Sequence, residues 1–61
     1  MTAFAIGKND EVTYTLSLNT REIDMFIRHE DGEQLILRFL EAEAVDLFKE
    51  TLERMQFSFK L

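Results

Sequence analysis

The sequence has no cysteine, one histidine, two glycines and seven basic residues against twelve acidic ones. Without cysteine there is no disulfide and no thiolate nucleophile. One histidine without cysteine cannot complete a zinc site of the usual kinds. The net charge of −5 repels nucleic acid at long range, because phosphate binding needs a local excess of Lys and Arg. No apolar run approaches the roughly 18 residues of a membrane span. Met1-Thr2-Ala3-Phe4-Ala5-Ile6 has neither the basic flank nor the apolar length of a signal peptide, so a cytoplasmic setting is expected. Repeats, linkers and low-complexity runs are absent too, and residues 1–61 are expected to form a single small α+β domain.

What is present is ordinary globular material, 46% apolar and 31% charged. A chain of 61 residues buries only about 60% of its unfolded surface, and a core that small rarely supplies more than roughly 3–5 kcal/mol. Small domains therefore add a staple. With disulfide and zinc excluded, the staple left is a partner, and self-association is expected.

Residues 12–18, Val-Thr-Tyr-Thr-Leu-Ser-Leu, alternate without a break and predict a strand burying Val12, Tyr14, Leu16 and Leu18. Residues 23–29 fit a helix, with Asn19 and Glu22 as a capping box, or a strand. The next turn decides. Glu30-Asp31-Gly32 suits a three-residue hairpin loop with Gly32 in the left-handed conformation. That loop pairs Ile27 with Leu35, Met25 with Leu37, Ile23 with Phe39 and Asp24 with Arg38. A two-residue loop would set Met25 against Arg38, and a one-residue slip flips a whole strand. Residues 23–29 and 34–40 are therefore expected to form a hairpin.

A tight connection through Thr20-Arg21 would pair Leu18 with Ile23, Leu16 with Met25 and Tyr14 with Ile27. A loop centred on Asn9 would pair Ile6 with Val12 and Phe4 with Tyr14. Phe4, Ile6, Val12, Tyr14, Leu16, Leu18, Ile23, Met25, Ile27, Leu35, Leu37 and Phe39 then share one face. Residues 41–55 are rich in helix formers, with Ala44, Leu47, Phe48, Thr51 and Met55 on one stripe and Val45 and Leu52 on its shoulder. Glu41 and Glu43 favour the positive end of the helix dipole, Glu50 and Arg54 are spaced for an ion pair, and no good N-cap residue precedes the helix. The expected architecture is a four-stranded antiparallel meander with one C-terminal helix packed on one face. The tail, Gln56-Phe57-Ser58-Phe59-Lys60-Leu61, alternates again. It reads either as a short fifth strand over 57–61 within the chain or as a strand joining another subunit.

No catalytic residue, cofactor or metal is expected. His29, Glu30, Asp31 and Glu33 cluster at a hairpin tip, but their spacing matches no ligand motif, and tight turns are acidic for backbone reasons. Ser17 and Ser58 have only His29 as a base and nothing like a strained elbow. Gly7-Lys8 lacks the rest of a phosphate loop. His29 itself could titrate near neutrality beside Glu33, although the ordinary expectation is an exposed strand end.

Three interaction classes remain. Ala3, Ala5, Phe26, Ile36 and Leu40 make an apolar patch on the uncovered sheet face, rimmed by Asp24, Arg28 and Arg38. Such patches mark protein contacts, and a homodimer through this face or through a strand edge is the leading expectation. The same face, with Phe26 between Arg28 and Arg38 and with Gln34, Thr13, Thr15 and Ser17 alongside, could hold single-stranded nucleic acid. Four antiparallel strands followed by a helix, with Phe4-Ala5-Ile6-Gly7 near the start and an acidic-Gly hairpin before the helix, is similar to the positive-cofactor-four type of single-stranded-DNA-binding coactivator. That resemblance implies a dimer. The family's lysine-rich strands and loops are missing here, and fold analogy does not carry function. Third, Glu43, Asp46, Glu50 and Glu53, opposed only by Lys49, form an acidic helix face that could block a basic DNA-binding protein or nuclease. A solvated face is the plainer explanation.

Overall fold

A computed structural model describes residues 2–61. Three strands form one antiparallel sheet in the order β1 (Glu11–Leu16), β2 (Ile23–Arg28), β3 (Gln34–Phe39), and the helix α1 (Ala42–Ser58) follows. The expected α+β class and C-terminal helix are present, with three strands in place of four.

The β2–β3 hairpin has the expected register: Ile23 pairs with Phe39, Asp24 with Arg38, Met25 with Leu37 and Ile27 with Leu35. Gly32 adopts φ 95°, and its N–H donates to the His29 carbonyl at 3.0 Å. The His29 N–H donates to the Glu33 carbonyl at 2.8 Å, closing the three-residue loop. Asp31 Oδ1 accepts the Glu33 N–H at 2.9 Å, the local bonding that suits Asp to turns.

The β1–β2 pairing keeps the expected faces but slides by two residues. Leu16 meets Ile23, Tyr14 meets Met25 and Val12 meets Ile27. The cause lies in the turn. A two-residue hairpin loop of the favoured kind puts its central residues at positive φ, which a β-branched Thr20 resists. The chain instead closes Ser17 on Glu22, with the Ser17 N–H donating to the Glu22 carbonyl at 2.9 Å, and gives the left-handed conformation to Arg21 alone, φ 63°. Leu18 is thereby moved out of the strand into the loop, 81% exposed.

The expected N-terminal strand does not form. Asp10 makes a local turn: its N–H donates to the Gly7 carbonyl at 3.2 Å, and its carboxylate accepts the Gly7 N–H at 2.9 Å. Residues ahead of that turn run to the end of β2 rather than beside β1. β1 is left as an edge strand, and Ala3 and Ala5 do not join the sheet. The fifth strand over 57–61 is absent as well. The helix runs on through Ser58, and the backbone N–H groups of Phe59, Lys60 and Leu61 bond back to carbonyls three or four residues earlier. No Gly or Pro stops the helix there, and local bonds satisfy a tail that reaches no sheet edge. At the other end Glu41 is the N-cap, extended and without a side-chain cap bond.

The helix meets the sheet near its own start. Phe48 packs edge-on against Phe39, ring centroids 5.2 Å apart, and Ala44 and Phe48 are half-buried. Every residue from Lys49 onward is exposed, so the expected stripe does not continue through Thr51 and Met55, and Leu47 is exposed too. Among the described residues Ile27 alone is buried, 5% exposed. A helix is about 10–12 Å across with its side chains and strands lie about 4.8 Å apart, so one helix covers about two strands. It approaches β3, and β1 remains bare. The chain extends 41 × 29 × 23 Å with a Cα radius of gyration of 13.3 Å.

Candidate interaction surface

The two sheet faces differ in how their polar groups are used. On the outer face, three cross-strand rows follow from the register: Glu11–Arg28–Gln34, Thr13–Phe26–Ile36 and Thr15–Asp24–Arg38. The charged rows are internally paired. Arg28 donates to the Glu11 carboxylate. Arg38 grips Asp24 with two bonds, Nε to Oδ1 at 2.8 Å and Nη2 to Oδ2 at 3.0 Å, and its Nε lies 3.4 Å from Glu22. The Arg38 hydrogen bonds hold the Asp24 carboxyl below the ordinary carboxylate range, against an opposing effect of partial burial. The Asp24 bond in turn raises the Arg38 guanidinium. Between these rows the apolar patch consists of Phe26, half-buried, and Ile36, exposed. Leu40 lies beyond the strand end, beside Leu16, Ile23 and the start of the helix, and so belongs to the other side.

On the helix-facing side, apolar side chains lie bare in two strips. One is the β1 row Val12, Tyr14 and Leu16, with Tyr14 75% exposed. The other is the far half of α1 with the residue that caps it: Leu52 46%, Met55 51% and the C-cap Phe59 90% exposed. Beside the helix strip a cleft of about 650 Å³ opens, with Met25 of β2 on the sheet side and Val45, Phe48, Leu52, Met55 and Phe59 on the helix side; Lys49, Glu53 and Gln56 border it. The acidic residues Glu43, Asp46, Glu50 and Glu53 are all exposed along the helix, and Glu53 reaches the cleft's rim.

The hairpin tip is built around His29. Its Nε2–H donates to the Ala5 carbonyl at 2.6 Å, its ring stacks on Phe4 with centroids 4.0 Å apart, and Asp10 and Glu33 carboxylates stand 3.5 and 3.6 Å from its two nitrogens. Loss of solvent is the largest single influence on this ring and lowers its pKa. The Ala5 carbonyl and the charges of Asp10, Glu33 and Asp31 together outweigh it, and the net shift is upward. His29, Asp31 and Glu33 each offer a ligand atom within 4.8 Å of the others. One imidazole nitrogen is already committed to Ala5, and Asp31 to the turn. Of the serines weighed as nucleophiles, Ser58 donates its hydroxyl to the Arg54 carbonyl at 3.0 Å, and Ser17 sits at the opposite end of β1 from His29.

The residues expected to mark a contact were Phe26, Ile36, Leu40, Asp24, Arg28 and Arg38. Five of the six share the outer face. The other bare apolar area involves side chains the sequence patterning assigns to a core: Val12, Tyr14, Leu16, Leu52 and Met55. The signal for their exposure was the supply of apolar residues beyond what a single helix can cover. No protein-family model matches the chain, and neither a curated protein nor a solved structure matches it.

Proposed function

We propose that this chain is a small non-catalytic protein-interaction module that works as a homodimer, joined through its helix-facing apolar surface. The observation that carries this is the bare pair of strips, β1 with the far half of α1, beside a core in which only Ile27 is buried among the described residues. Contiguous apolar surface of this kind marks a contact, and a chain of 61 residues needs what such a contact supplies. The outer face supports assembly less well, because its two apolar side chains sit between satisfied ion pairs. The same pairing disfavours nucleic-acid binding, since both arginines flanking Phe26 are already neutralised by carboxylates.

Light scattering on two variants tests the assignment of the surface. Leu52→Asp places a charge in the cleft and is expected to halve the particle mass. Phe26→Asp, on the outer face, is expected to leave the mass unchanged. The reverse pattern, or a wild-type chain that stays single at micromolar concentration, overturns the proposal.

A further inference from the structure

We infer that two copies of the chain interlock, the far half of each helix lying over β1 of the other. The inference rests on the homodimer proposed above and gives it a geometry. The exposed surface is 5721 Å², about 1,600 Å² more than the roughly 4,100 Å² expected of a compact protein of this mass. A standard interface removes about 800 Å² from each partner, and obligate dimers remove more. The excess is therefore on the scale of a permanent pair.

The second quantity is the radius of gyration. A compact chain of this length has a radius of about 10.5 Å, and 13.3 Å belongs to a compact body of about 115 residues, close to two copies. Two copies side by side, their centres separated by the smallest dimension of 23 Å, would together reach a radius of about 17–18 Å. A pair as compact as an ordinary protein of its combined length has a radius of about 14 Å, and two such chains reach it when their centres lie within roughly 9 Å of each other. Only interpenetrating chains meet that condition.

The third observation is that the bare surface is self-complementary. In a two-fold pair each contact occurs twice with the roles exchanged. The chain carries one strip of each kind, Val12, Tyr14 and Leu16 on the sheet and Leu52, Met55 and Phe59 on the helix. Setting the helix strip of each copy on the sheet strip of the other covers both, and the open cleft between Met25 and α1 leaves the space for the exchange.

The test uses the whole chain. Light scattering gives the mass and small-angle X-ray scattering the radius of the same sample. The expected result is twice the 7.2 kDa chain mass with a radius of about 14 Å. A dimer of about 17–18 Å overturns interlocking and leaves the homodimer standing, whereas a particle of single-chain mass overturns both. A complementation experiment reads the pairing separately. Tyr14→Asp and Leu52→Asp are each expected to abolish dimers, and mixing the two variants is expected to restore them, because the mixed pair keeps one intact sheet-to-helix contact. Failure of the mixture to regain mass overturns the sheet-to-helix exchange. Should either variant fail to fold, the wild-type radius decides.

Discussion

His29 stands where three parts of the chain meet: the N-terminal arm, the Gly7–Asp10 turn and the β2–β3 hairpin. Its protonated ring is attracted by Asp10, Glu33 and Asp31 while it holds the Ala5 carbonyl. A group whose pKa rises on folding contributes stability that is complete below the unfolded value, about 6.5 for histidine, and is lost as pH climbs through the folded value. Docking of residues 2–6 is accordingly expected to weaken as pH rises above about 6.5. A proton NMR titration of the imidazole should show a midpoint above 6.5, with the ring-current shifts of Phe4 fading over the same interval. A midpoint at or below 6.5 would contradict the arrangement. His29→Ala should release the arm at every pH, seen as a move of the Phe4 and Ala5 chemical shifts to unstructured-chain values.

At the scale of elements, the β2–β3 hairpin was legible because two independent constraints agreed on it. Glu30-Asp31-Gly32 selected the loop, and only the matching register set Ile23, Met25 and Ile27 against Phe39, Leu37 and Leu35. β1 was legible in its faces but not its register, because alternation specifies parity while the turn specifies the slide. Arg21 in the left-handed conformation carries no sequence signature of the kind Gly32 does. The N-terminal segment read as a strand from alternation alone, and its actual course depends on a ring 24 residues away, beyond any local pattern. The tail failed for the converse reason: Phe57, Ser58 and Phe59 alternate, yet the helix ahead of them has no stop signal. The candidate surface was half legible. Sequence pattern located the apolar side chains but assigned them to a core, since it cannot show how far the helix reaches across the sheet. The helix start was read correctly as uncapped, and Glu41 can be improved. Glu41→Ser supplies a side-chain acceptor for the free N–H groups of the first turn and should stabilise the fold by about 1 kcal/mol, measured as a shift in the urea midpoint at fixed protein concentration.

For the molecule as a whole, a core in which Ile27 alone is buried among the described residues offsets little of the conformational entropy lost on folding. Under the proposed pairing, folding and assembly are coupled, and the thermal midpoint should rise with protein concentration. In the proposed pair the acidic stripe Glu43, Asp46, Glu50 and Glu53 stays exposed, while the apolar strips turn inward. The measurement that bears most directly on this is an isotope-filtered NOE experiment on a mixture of carbon-13-labelled and unlabelled chains, which reports contacts between copies and no others. Cross-peaks from the Tyr14 ring to the methyl groups of Leu52 and Met55 are the predicted result. Intermolecular peaks confined to Phe26 and Ile36, or none at all, would contradict it.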